Sequence, residues 1–114
     1  MTEPYEIAQR RGRDGDDGPV TWMIELTGEF DITAREELTE VLRARAADGD
    51  AAGVTVDLAG TTFLDSEAMA ALIEGYHAAR AAGKRYRIVN ARGVIARSLR
   101  IVGLLELPGI EPAD

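Results

Sequence analysis

Few side chains in this chain could carry chemistry: Ser66 and His77 on one helical stretch, and Asp31 and Asp65 beside two turns. A serine nucleophile served by a histidine base is the obvious test, and geometry excludes it within one chain. Eleven residues of helix at about 1.5 Å each hold the two roughly 16 Å apart, against the ~3 Å reach a general base needs. His77 follows Tyr76, lies off the strict apolar stripe of its helix, and reads as an exposed or half-packed residue. Metal chemistry lacks close-spaced ligands, because the chain has one His, no Cys and scattered carboxylates. Gly12-Arg13-Asp14-Gly15 has neither a Lys-Ser nor a Lys-Thr ending and does not open a helix, so it is no phosphate loop. Asp31 and Asp65 could pair as acid and base only in that both reach the same edge. A helix N-terminus favours negative charge, so both are better read as caps.

The elements that must position these residues follow from periodicity. Val20, Trp22, Ile24 and Leu26 alternate with polar neighbours as a half-buried strand, and Tyr5 and Ile7 start a weaker strand before it. Residues 12–19 between them are a Gly/Asp stretch, expected to be a flexible hairpin loop. Thr33-Ala34-Arg35-Glu36 matches a capping box, and Ala34, Leu38, Val41 and Leu42 continue a first helix to about Ala47. Val54, Val56 and Leu58 form a third strand, short enough to be central. Thr61-Thr62-Phe63-Leu64 reads as the loop that follows it. Met69, Leu72, Ile73 and Tyr76 give a second helix ended by Gly83. Tyr86, Ile88 and Val89 give a fourth strand; Ile95, Leu99 and Val102 give a third helix closed by Gly103. A short last strand is expected at Leu104–Leu107 and a loose tail over 108–114. The order implies a single α/β domain over residues 1–114, with a mixed, mostly parallel sheet of about four to five strands and three to four helices. The tip before the first helix and the tip after the third strand should be neighbours.

With 114 residues, 46% hydrophobic and 29% charged, the chain fits one globular domain and needs no disulfide or metal to fold. A polar N-terminus and the lack of a long apolar run predict neither signal peptide nor membrane insertion, and with no Cys the expectation is a cytoplasmic protein. The net charge of -7 argues against nucleic-acid binding. That average hides a division. Residues 1–74 hold 17 acidic and 6 basic side chains, whereas residues 75–105 hold 7 basic and none acidic. The basic stretch from Arg80 to Arg100 reads first as a solvated surface, with a second docking face or weak contact with anionic lipid as alternatives. Nothing demands more than a monomer when free.

Two segments read together, Gly28-Glu29-Phe30-Asp31 before Thr33 and Phe63-Leu64-Asp65-Ser66 before an amphipathic helix, resemble the STAS domain of bacterial anti-sigma factor antagonists. The similarity runs from the Trp22 strand to Gly103-Leu104. It implies a binding module without catalytic residues or cofactors. In such antagonists the Ser of the Asp-Ser pair is phosphorylated by a serine-kinase anti-sigma factor, and a metal-dependent serine phosphatase removes the phosphate; the unphosphorylated form captures the kinase and frees the sigma factor. By motif position the phosphoacceptor is Ser66. Asp31, Thr33, Asp65, Glu67, Ala68 and Met69 form the implied partner-binding set. The chain departs from the family where Ser or Thr and then Gly usually follow Asp-Ser: here Glu67 puts a fixed negative charge beside the acceptor, and Ala68 follows. An alternative within the same resemblance is a constitutive adaptor of a transport ATPase or sensory assembly, with Ser66 only a helix cap. A third reading, an unrecognised enzyme using Asp31, Asp65 and Ser66, calls for a pocket with perturbed carboxylates.

Overall fold

One long strand organises the molecule. In the computed structural model, which describes residues 4–13, 15–108 and 110–113, β2 (Val20–Phe30) pairs from Val20 to Gly28 with β1 (Tyr5–Arg13), antiparallel, from Tyr5↔Gly28 to Arg13↔Val20. Its first half also pairs in parallel with β3 (Gly53–Asp57), and its last residues pair in parallel with β4 (Thr61–Leu64). β5 (Arg85–Val89) follows β3, and β6 (Ile110–Ala113) follows β5, both parallel, so the sheet runs β1-β2-β3-β5-β6 with β4 off this path beside β2. The change of partner from β3 to β4 falls at a register shift between Gly28 and Glu29. Gly28 has φ 101°, and a Cβ there would collide with the Pro4 carbonyl oxygen, so the bend needs glycine.

The sheet rows Trp22–Val54–Tyr86 and Ile24–Val56–Ile88 share one face, and that face joins the core with α1 (Ile32–Ala46) and α2 (Ser66–Ala81). α1 buries Ala34, Leu38, Leu42 and Ala46; α2 buries Met69, Leu72, Tyr76 and Ala79 among others. The two helices lie side by side and approach closely at Gly75, where a Cβ would stand 2.8 Å from Leu42 Cδ1 and 2.9 Å from the Tyr86 hydroxyl. The Tyr86 hydroxyl donates to the Leu72 carbonyl at 2.8 Å, and burial pushes its pKa up. At the far end of α1, Trp22 Nε1 donates to Asp48 Oδ2 at 2.8 Å while the Arg45 guanidinium lies 3.9 Å from the ring centre, which fastens the turn into β3.

The α/β class and the mixed, mostly parallel sheet agree with the sequence, and the differences are local. Gly12 and Arg13 belong to the β1–β2 ladder, so the hairpin loop is shorter than residues 12–19; Asp14 in that loop lies outside the described residues. Thr61–Leu64 is strand, held by β2. Leu104–Glu106 is a 3-10 turn after Gly103 (φ 76°), following α3 (Gly93–Ile101), and not a strand. The expected loose tail is instead β6 at Ile110–Ala113, with Ile110 buried. Tyr76 and Arg80 of α2 both donate to the Pro108 carbonyl and bring the chain back to the sheet edge. Gly109 and Asp114, which fall in that expected tail, lie outside the described residues, as do Met1–Glu3 of the polar N-terminus.

Candidate functional site

β2 and β4 end in register, Phe30 opposite Leu64, and each is followed by an aspartate that starts a helix. Phe30 is fully buried and Leu64 nearly so, which fixes where the strands stop. The Asp65 amide donates to the Phe30 carbonyl at 3.1 Å, so the two junctions are tied by backbone. Asp31 caps α1: its Oδ1 accepts from the Thr33 amide at 2.9 Å and the Thr33 hydroxyl at 2.5 Å. Thr33 is therefore not the cap of a capping box; the helix begins at Ile32, and Thr33 in its first turn serves the Asp31 carboxylate. The Thr33 hydroxyl, then its amide, hold the Asp31 carboxyl below its ordinary range. This is a cap kept ionised, not a carboxylic acid poised for proton transfer.

Asp65 caps α2 by accepting from the Ala68 amide at 3.0 Å. Ser66 is thus the first residue of α2 and not its cap. It is exposed, and its hydroxyl has no hydrogen-bond partner among the described residues. Glu67 accepts an ion pair from Arg35 of α1, so the fixed negative charge beside Ser66 is matched by a cation across the junction. Ala68 and Met69 were expected to face a partner, but their side chains are 0% and 8% exposed and belong to the core; a small residue and a flexible apolar one fill the space beneath the first turn. The structure brings together Asp31, Thr33, Asp65, Ser66 and Glu67. It places His77 eleven residues along α2, exposed, with its ring edge-on to Tyr76 at 5.2 Å.

Three residues of this region were missed by the sequence reading. Ile32 is 65% and Phe63 48% exposed, two large apolar side chains flanking the caps. Their signal was phase: Ile32 sits two residues before Ala34, off the buried stripe, and Phe63 alternates with buried Leu64. Arg35 carried no signal, because its partner is 32 residues away. Below the junctions, an open groove of about 870 Å³ runs between α1 and α2, lined by Ile32, Thr39, Glu36, Glu40, Glu67 and Glu74 together with Arg35, Arg43 and Ala44. The Thr39 hydroxyl is buried there without a hydrogen-bond partner. Among the described residues no group of three His, Cys, Asp or Glu could hold a metal ion, and no helix is long and apolar enough to cross a membrane.

The same architecture occurs in solved structures. An anti-sigma factor antagonist from Mycobacterium paratuberculosis superposes with a TM-score of 0.72 at 20% identity, covering 96% of this chain and 89% of that one. The Bacillus cell fate determinant SpoIIAA in its phosphorylated form gives 0.65 at 19% identity, covering 94% and 92%. A sulfate transporter family protein from Wolinella succinogenes gives 0.68 at 16% identity, covering 79% and 75%. At such identities the likeness is one of fold. No curated protein sequence matches the chain. The STAS_2 family model, described as "Mlab, STAS domain", matches residues 16–109, which include both capped junctions and all three helices, and the chain accordingly belongs to the STAS family.

Proposed function

We propose that the protein is a phospho-switched anti-sigma factor antagonist, a binding module that captures a serine-kinase anti-sigma factor through the two junctions and is switched off at Ser66. One observation carries this reading: Ser66 presents an exposed hydroxyl without a partner at the start of α2, while the neighbouring Asp65 caps the helix without its help. A phosphate at that position meets free amides and a dipole that favour an anion by about 0.3–1 kcal/mol, so the fold survives modification. It adds about -1.5 to -2 charge beside Asp65 and Glu67, in a surface whose apolar contribution comes from Ile32 and Phe63. Desolvating that charge against a partner costs affinity on the order of a hundredfold or more with no change of conformation. A serine phosphatase resets the switch. Solved antagonists of the same fold, one of them phosphorylated, support the reading.

Affinity capture from the host with wild type, Ser66→Ala and Ser66→Asp, with mass spectrometry of partners and of Ser66, tests it. The expected result is a serine-kinase anti-sigma factor on the first two and its loss from the third. Equal recovery of one partner on all three refutes the switch. The transporter-family neighbour favours one second reading, a constitutive adaptor of a transport ATPase or sensory assembly; such a partner held equally by all three variants identifies it.

A further inference from the structure

α3 is apolar on two sides. It buries Ile95, Ala96 and Leu99 against the domain, yet leaves Val94 77% and Ile101 76% exposed, with Val102 just beyond at 47%. Val94, Arg97 and Ile101 stand at i, i+3 and i+7, so they form one outward stripe, aliphatic at both ends and cationic in the middle. Arg92 and Arg100 flank it. The guanidinium groups of Arg92, Arg97 and Arg100 are exposed and have no hydrogen-bond or ion-pair partner among the described residues. In a chain of net charge -7, the 31 residues around this helix contain no acid at all. Exposed aliphatics interleaved with unpaired arginines mark a docking surface for something acidic with apolar ground.

The α1–α2 groove has the complementary character. Glu36, Glu40 and Glu74 line it beside Ile32, Thr39 and Ala44, and although Arg43 also lines it and Arg35 is paired with Glu67, the three glutamates without an ion-pair partner among the described residues leave the groove acidic. Nine residues of α3 span about 13 Å, and the groove follows α1 from Ile32 to Ala44, about 18 Å. Length, charge and apolar content match. We infer that the α3 stripe of one copy docks in the α1–α2 groove of another, with Val94 and Ile101 against apolar ground and the arginines facing Glu36, Glu40 and Glu74. The two surfaces differ, so the contact is head-to-tail and grows open chains instead of closing a two-fold dimer. It also covers Ile32 and Glu67, beside Ser66, so self-association and partner capture compete for one face. The inference does not depend on Ser66 being modified.

Two variants with intact halves provide the test: Arg97→Glu spoils the stripe and keeps the groove, and Glu40→Gln with Glu74→Gln removes the groove's charge and keeps the stripe. In sedimentation velocity at about 0.15 M salt, the wild-type mean mass rises from one chain at about 10 μM to beyond two chains near 1 mM, as expected of a small, weak interface. At about 1 M salt, where screening shortens to about 3 Å, the rise disappears. Each variant alone stays at one chain, and their equimolar mixture forms a one-to-one complex that grows no further. A wild type that remains a single chain near 1 mM overturns the inference. So does a plateau at two chains, which marks a two-fold contact, or a mixture that does not combine. A wild type that stays monomeric but binds phosphatidylglycerol vesicles, and loses that binding with Arg97→Glu, assigns the stripe to an anionic lipid surface instead.

Discussion

The two strand-to-helix junctions are built alike and finished differently. At each, a buried apolar residue ends a strand, an aspartate caps, and the next side chain points to solvent: Phe30-Asp31-Ile32 and Leu64-Asp65-Ser66. At the first, the cap carboxylate is satisfied within two residues by Thr33, and the exposed position is an aliphatic anchor. At the second, the carboxylate reaches three residues on to Ala68, and the exposed position is a hydroxyl with nothing to bind. Duplicating the capping geometry leaves one tip with an exposed aliphatic side chain and the other with an exposed hydroxyl, which in the proposed switch are the apolar contact and the group whose charge changes. The Arg35–Glu67 pair joins the tips, though as an exposed pair it contributes little stability and serves mainly to offset charge beside Ser66.

The sharpest way to break the comparison is to remove what both junctions share. Phe30 is fully buried, stacks on Tyr5 at 5.1 Å between ring centres and pairs with Leu64. Phe30→Ala is expected to cost about 3–5 kcal/mol in urea unfolding, as for other buried aromatic truncations. Because the Asp65 amide is bonded to the Phe30 carbonyl, hydrogen exchange at Asp65 should accelerate together with that at the start of α1. Loosening confined to the first junction contradicts the shared anchoring.

The caps come next in size and separate the junctions. Asp65→Ala removes the one side-chain acceptor at the start of α2 and should cost about 1 kcal/mol in the same unfolding assay. For Asp31 the informative variant is Asp31→Asn, which keeps capping ability and removes only the ionisation. The Asp31 carboxyl is held below its ordinary value of 3.8 by the Thr33 hydroxyl and amide. Its charge therefore contributes stability that is present above about pH 3.8 and is lost as the pH falls through the lowered folded value. Between pH 5 and pH 2, wild type should lose stability more steeply than Asp31→Asn; parallel profiles would show that Thr33 holds no charge there.

What the sequence revealed and what it hid follow from the same physics. The alternation at Val20–Leu26 and the stripe from Met69 to Tyr76 are local periods long enough to read, and both elements lie where they point. β4 and β6 are four residues each, too short for a period to register, and they exist because an already formed neighbour, β2 or β5, offers a free edge. Pro112 hides β6 further, since a proline discourages a strand reading except at a sheet edge, where β6 lies. Leu104–Glu106 looked like a strand for being apolar, but Gly103 in the left-handed region turns the chain into a 3-10 turn. At the site, Asp31, Asp65 and Ser66 were legible because caps are local. The Arg35–Glu67 pair and the α1–α2 groove were not, because both arise only when helices distant in sequence pack together at Gly75.

The smallest expected effect discriminates best between a functional and a structural Ser66. A serine that caps its helix supplies an acceptor to an orphan amide, and its replacement by alanine costs about 1 kcal/mol. Here Asp65 supplies that acceptor, and Ser66 stands one position inside the helix with its hydroxyl in solvent. Alanine is the better helix former, so Ser66→Ala should change stability by no more than about 0.5 kcal/mol, in either direction. Urea midpoints of wild type and variant resolve a difference of that size if the slopes agree. A loss of about 1 kcal/mol would return Ser66 to the helix as a structural residue. An unchanged midpoint leaves a serine that the fold does not use, as the proposed switch requires, since a phosphate there would add charge at the surface and spare the core.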